Sequence, residues 1–450
     1  MRIYACKMKI FIYIIILINI TVICESNSIY GDSNIGICQS ISCNKNEMEY
    51  KDCVYRETIK TTELYRNGWR LSLPYRNLQD TTSLILEFDD LTDQTETFTY
   101  TLIHCTSDWQ PTDIPESVYL GGLPEAEIRD YRFSRNTLQP YIHYHLALPN
   151  EDMSFKLPGN YILYVYEDYD KERPVLTRRF YVIDPKVGIK ADIHRTDNLN
   201  YLYSKQEVDF TIDYAMINTD NPKRDFSVSV LQNYNWLTAI TNLEPKFIHP
   251  ESLVYDYEEE NLFPGGSEFR HFDTKSLRFN SDRIGEIRFE SPIKHVYLKP
   301  DLIRSQKSYE YEEDISGLFL IKWDDAVDSD LDADYVMVHF GLRVPKPFEN
   351  SEVYLSGALT DRNLDTAAKM KYDPLTLEYR TNLLLKQGYF NYTYTVTDQD
   401  QNVPDPNPVE GSFFETVNDY CIFVYYRDIR ERFDRLIGLE IINSVKQPGN

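Results

Sequence analysis

Short apolar runs separated by turn-forming residues recur along most of the chain. Between residues 51 and 185 they fall at 83–88, 97–105, 141–148, 161–166 and 177–183, a spacing that predicts the strands of a β-sandwich. In the fourth run Tyr161, Leu163 and Val165 share one face while Ile162, Tyr164 and Tyr166 share the other, so both faces are apolar and the strand is expected to be central. Residues 107–139 differ: Trp109, Pro111, Pro115, Gly121, Gly122 and Pro124 follow no period, which predicts a large loop excursion of the kind that carries function.

Asp184-Pro185-Lys186 closes this stretch, because proline after a strand stops the ladder. Runs at 208–214, 226–232, 276–279, 285–289 and 295–298 predict a second β-rich domain, with Pro264-Gly265-Gly266 as a tight turn between two of them. A third opens at 335–340 and continues through 353–356 and 388–396 to 421–426. Pro158-Gly159-Asn160-Tyr161 and Gln387-Gly388-Tyr389-Phe390 each open an aromatic strand, a faint echo between the first and third domains. The pattern predicts an all-β chain of tandem β-sandwich domains. Their expected bounds are 51–185, 186–330 and 331–450, after a leader at 1–24 and a polar tail at 25–50.

The leader has the parts of a signal peptide: Arg2, Lys7 and Lys9 precede an apolar run at 10–23. That run is shorter than the roughly 20 residues a membrane-spanning helix needs, so export with cleavage is expected. Cys24 leaves lipidation open as the alternative, although Thr21-Val22-Ile23 makes a poor lipobox.

Composition agrees with strands, since 36 Tyr and 22 Phe stand against 17 Gly among 450 residues and flat rings suit a pleated surface. The formal charge is −24, and loss of residues 1–24, which carry three basic groups and no acidic one, takes it to −27. Such a field repels nucleic acid and anionic lipid, which leaves a basic or neutral protein surface as the partner.

Beyond the leader lie Cys38, Cys43, Cys53, Cys105 and Cys421, an odd number in a compartment that permits disulfides. Cys38 with Cys43 or Cys53 is expected to staple the tail. Cys105 and Cys421 sit in apolar runs and read as small buried hydrophobes.

Few residues suggest chemistry. Asp328, Asp330, Asp332 and Asp334 imitate the first ligands of a calcium loop, but Ala333 stands where the loop needs glycine and His339 where it needs glutamate. A solvated linker is expected there, and likewise at Glu258–Glu260 and Glu312–Asp314. His143 and His145 share one strand face but lack a third metal ligand nearby in sequence. No CxxC, GxSxG, HExxH or phosphate-binding glycine loop occurs. The chain therefore reads as a non-enzymatic binder with no cofactor and no metal.

Several segments carry a family resemblance. Residues 59–69, Phe88-Asp89-Asp90-Leu91, residues 100–105 leading to Asp108-Trp109-Gln110-Pro111, and residues 131–137, 160–168, 173–180, 261–273, 329–335 and 434–438 resemble the type IX secretion plug family, over about 53–438. The resemblance implies tandem immunoglobulin-like β-sandwich domains, of early-set kind at the C-terminus, in a periplasmic protein associated with the outer membrane, which docks on the large β-barrel translocon and closes its channel. Trp109, Tyr119 and Leu120, in the 107–139 excursion, are the expected partner-binding anchors. A second likeness, of Val353-Tyr354-Leu355-Ser356-Gly357 and residues 387–392 to starch-binding early-set modules, implies a carbohydrate-binding accessory protein as the alternative. Those modules place a tryptophan soon after that glycine, where this chain has Asp361-Arg362-Asn363.

Overall fold

The computed structural model describes residues 43–44, 47–398 and 404–445, which belong to one compact unit, Gln39–Asn450. The expected leader, Cys24, Cys38 and most of the polar tail lie outside the described residues. Cys43 is bonded to Cys53, which differs from the expectation that Cys38 would join one or the other; the bond ties the end of the tail to the first strand, Cys53–Val54.

The fold is all-β, three sandwiches of mostly antiparallel sheets. In the first, Gly159–Glu167 runs between Phe98–Cys105 and Asp170–Ile183, and the facing sheet has the order Ile59–Arg66, Leu84–Asp90, Ile142–Leu148, Asp130–Phe133. Alternation decides what each face of Gly159–Glu167 does. Tyr161, Leu163 and Val165 enter the core between these two sheets. Ile162, Tyr164 and Tyr166 enter a second core, shared with Leu231, Cys421, Phe423 and Tyr425 from the neighbouring sandwich. The strand is central, as its two apolar faces required.

The middle sandwich is assembled from distant parts of the chain. One sheet is built on Gly188–Arg195, Lys205–Asp213 and Ser252–Tyr255. The other places Phe226–Gln232 beside Asp419–Tyr426, with Val228 opposite Val424, and Asp419–Tyr426 beside Arg435–Asn443. Pairing thus crosses the expected division at 330–331, and residues 419–443 complete the middle sandwich instead of the third. Tyr420, Ile422 and Val424 fill its core, while Cys421, Phe423 and Tyr425 face the first sandwich. An apolar strand with two buried faces fits any sheet of this kind, so its partner leaves no local mark in the sequence.

The third sandwich packs the sheet around Gly388–Asp398 against one centred on Tyr335–Arg343 and Glu378–Lys386. No strand forms at 276–279. The paired segment is Arg270–Asp273, and only Leu277 from the expected run packs against the core. Pro264-Gly265-Gly266 carries the chain between sandwiches, and a Cβ on Gly265 would strike the Phe413 carbonyl oxygen, so that crossing needs glycine.

Candidate functional site

The 107–139 excursion contains a short helix, Glu116–Tyr119, and the strands Leu120–Gly122, Ala126–Glu127 and Asp130–Phe133. Its three expected anchors point inward. Trp109 is 1% exposed, with the Arg179 guanidinium 4.3 Å from its ring centroid and the Trp236 ring edge-on at 5.4 Å. Tyr119 and Leu120 lie in the core of the first sandwich. All three fasten the excursion to its own chain and are not presented to a partner in this arrangement, because a tryptophan ring gains most from closing the junction between sandwiches. The rings the excursion does expose are Tyr131 and Phe133, on a fully exposed edge strand. Their period of two was the available signal.

The excursion lands on the acidic run 328–334. Arg132 pairs with Asp328 at 3.1 Å and Arg135 with Asp332 at 2.9 Å. The backbone N–H groups of Leu138 and Gln139 donate to Asp334 at 3.0 and 3.2 Å, and Arg135 N–H donates to the Leu331 carbonyl at 2.8 Å. Asp328 also caps the short helix Ser329–Asp332 by accepting from Asp330 N–H. The aspartates are thus a receiving surface for the first sandwich, where the sequence predicted a linker facing water.

Behind that contact lies a buried ionic network. Asp89 accepts from Lys386 Nζ at 2.7 Å, Tyr335 Oη at 2.7 Å and His143 Nδ1 at 2.8 Å. Lys386 also donates to the Asp330 carbonyl at 2.7 Å and lies 4.1 Å from the Tyr141 ring centroid. Burial alone would lower the pKa of His143, but its bond to Asp89 and the nearby Glu87 outweigh that and raise it to about 9. Burial likewise opposes charge on Glu87, yet His143 and Arg70 hold it down at about 2, whereas burial pushes Glu63 up to about 8 despite Arg70. Ligand atoms of Glu87, His143 and Asp330 gather within 4.8 Å, but Arg70 bonds both carboxylates and supplies the positive charge. His145 pairs separately, with Asp130 at 3.3 Å. A second trio, His194, Glu207 and Asp209, converges on the middle sandwich, with His194 Nε2 2.9 Å from Asp209.

A groove of about 540 Å³ opens beside the middle and third sandwiches. Trp69, 61% exposed, and Tyr311, 63% exposed, stand at it with Tyr309 and Tyr234. Glu268, Glu312, Glu313, Asp314, Glu415 and Asp419 line it, and among the described residues no lysine or arginine does. Burial raises Glu268 to about 7, although Tyr309 Oη and Val417 N–H donate to it. Burial raises Asp314 to about 6, against donors from Ser316 and Phe269 N–H. The sequence read Glu312–Asp314 as merely solvated. The interleaving of Tyr309 and Tyr311 with acidic residues was the signal for an aromatic, anionic surface.

Where starch-binding modules offer a ring, this chain turns inward: Asp361 pairs with Arg178 at 2.9 Å, and Asn363 donates to the Asp52 carbonyl at 2.9 Å. Among the described residues no helix is long and apolar enough to cross a membrane.

Comparison with known proteins extends these observations. Residues 59–184 match the family model described as the type 9 secretion system plug protein 1st domain. A crystal structure of a hypothetical protein from Parabacteroides merdae ATCC 43184 is similar over 88% of this chain and 100% of its own, with a TM-score of 0.85 and 32% identity. No curated protein matches.

Proposed function

Because the chain belongs to the type IX secretion system plug protein family, we propose that it docks on the large outer-membrane β-barrel translocon from the periplasmic side and closes the barrel's opening. The observation that carries the proposal is the family match over residues 59–184, which covers nearly all of the first sandwich. The role is mechanical and non-enzymatic. Ionic and aromatic packing joins the three sandwiches into one block, suited to obstructing a pore.

The docking surface we assign is the groove between Trp69 and Tyr311. It combines exposed rings, which supply contact area at low entropy cost, with a lining rich in carboxylates, of which Glu312 pairs at 3.2 Å with His271, itself outside the lining. Its complement is a basic segment at the periplasmic mouth of the barrel. Affinity purification of the tagged chain from envelope extracts, at low and high salt, tests the reading. A very large barrel protein should be recovered, and its yield should fall as salt rises. Reproducible absence of the barrel, together with retention of the chain on a glucan column, overturns the proposal in favour of carbohydrate binding.

A further inference from the structure

We infer that a cavity where the three sandwiches meet is a binding site for a small oxyanion of the phosphate, sulfate or carboxylate kind. The cavity measures about 170 Å³ and is lined by Arg178 from the first sandwich, Tyr234 and Trp236 from the middle one, and Asp361 and Arg362 from the third. Its charge is opposite to that of the molecule. Five basic side chains line it against three acidic ones, in a chain whose net charge is −24.

Most of those cations are already engaged. Arg178 pairs with Asp361 at 2.9 Å, Lys51 with Glu49 at 3.0 Å, and Arg70 with Glu63 and Asp330 at 3.3 and 2.8 Å. Arg179 is held between the rings of Trp109 and Trp236. Arg362 is different. Its Nη2 donates to the carbonyl oxygens of Asn233 at 3.0 Å and Ser316 at 3.4 Å, and among the described residues no carboxylate oxygen comes within 4.0 Å of it. Burial depresses its pKa, and the more distant carboxylates of Asp52 and Asp361 offset this only in part, as expected for a guanidinium withdrawn from water with incomplete compensation.

An oxyanion supplies what is missing. Two of its oxygens match the planar donor fork of a guanidinium, a geometry that ammonium groups do not offer. The volume is well below the roughly 300 Å³ at which drug-sized sites begin, so the ligand is a small ion and not a sugar or a peptide. Because the lining comes from all three sandwiches, bound anion stabilises their junction. This also gives Arg362 a role at the position where sugar-binding modules carry a ring. The inference is independent of docking on the barrel.

The test uses the full mature chain and inorganic phosphate, with sulfate and acetate as parallel probes, in chloride buffer at constant ionic strength. Phosphate should raise the midpoint of thermal unfolding saturably, by about 3 °C or more at saturation, and calorimetry should report one site. The order among the three probes distinguishes a phosphate-type from a carboxylate-type ligand. Arg362→Met should abolish both signals, while Arg129→Ala, at an exposed cation that is not part of the cavity lining, should leave them intact. Should Arg362→Met fail to fold, selenate soaked into crystals of the unaltered chain supplies the readout: an anomalous peak beside Arg362 is expected. No saturable shift beyond the chloride control, binding that survives in folded Arg362→Met, or a selenate peak elsewhere with none in the cavity each overturns the inference.

Discussion

Lys386 Nζ donates to Asp89 Oδ2 at 2.7 Å across 297 residues of sequence, and both side chains are 1% exposed. Asp89 belongs to the first sandwich and Lys386 to the third, so the pair is a fastening between them. Each charge is tolerated inside the protein because the other is present, together with donors from Tyr335 and His143.

Removing one partner is therefore worse than removing both. Lys386→Met leaves Asp89 buried with less compensation and should destabilise the chain by about 3–5 kcal/mol in urea unfolding. Combining it with Asp89→Asn should recover much of that loss. Equal losses in the single and double variants would mean that the pair does not fasten the sandwiches.

The same network fixes a pH dependence. His143 is raised from 6.5 to about 9 in the folded state, so its contribution is complete below pH 6.5 and is lost as pH rises through 9. Glu87 is lowered from 4.5 to about 2, so its contribution is present above pH 4.5 and is lost as pH falls toward 2. Urea unfolding from pH 6 to 9 should show falling stability in the unaltered chain and a flatter profile in His143→Gln. An unchanged slope in that variant would contradict the ionic state assigned to His143.

The two described free thiols should be silent in the native protein. Cys105 and Cys421 are buried, burial pushes Cys105 up to about 12 and Cys421 above its usual range, and thiolate is the reactive form. Peptide mapping after alkylation should find both unmodified in the native chain and both modified in denaturant. Native labelling of either would show that the junction opens.

Two tryptophans should separate stability from binding. Trp109→Ala removes a core ring and should cost about 3–5 kcal/mol. Trp69→Ala should leave unfolding within about 0.5 kcal/mol of the unaltered chain while lowering recovery of the barrel. Loss of stability in Trp69→Ala with undiminished capture would reverse the assignment.

Local pattern was a good guide to strands and a poor one to partners. The alternation in Tyr161 to Tyr166 correctly required two covered faces, and 226–232 coincides with the strand Phe226–Gln232. The division at 330–331 misled because Val228 and Val424 pair across nearly two hundred residues, and nothing in either segment encodes that distance. Trp109 misled for a related reason. Proline and glycine around it announce irregular backbone, but burial of the ring comes from Arg179 and Trp236, which are remote in sequence. The aspartates at 328–334 look solvated until the arginines of the excursion arrive.

The most direct test places a photo-crosslinking residue at Trp69 in the full chain and, separately, at Phe289, which is similarly exposed, at 63% against 61%, but lies outside the groove. After irradiation of intact envelopes, a covalent adduct is expected between position 69 and the outer-membrane translocon barrel, with little at position 289. Contradiction would be the absence of any barrel adduct at position 69 in envelopes where the chain is folded and present, or an adduct at 69 with another protein alone.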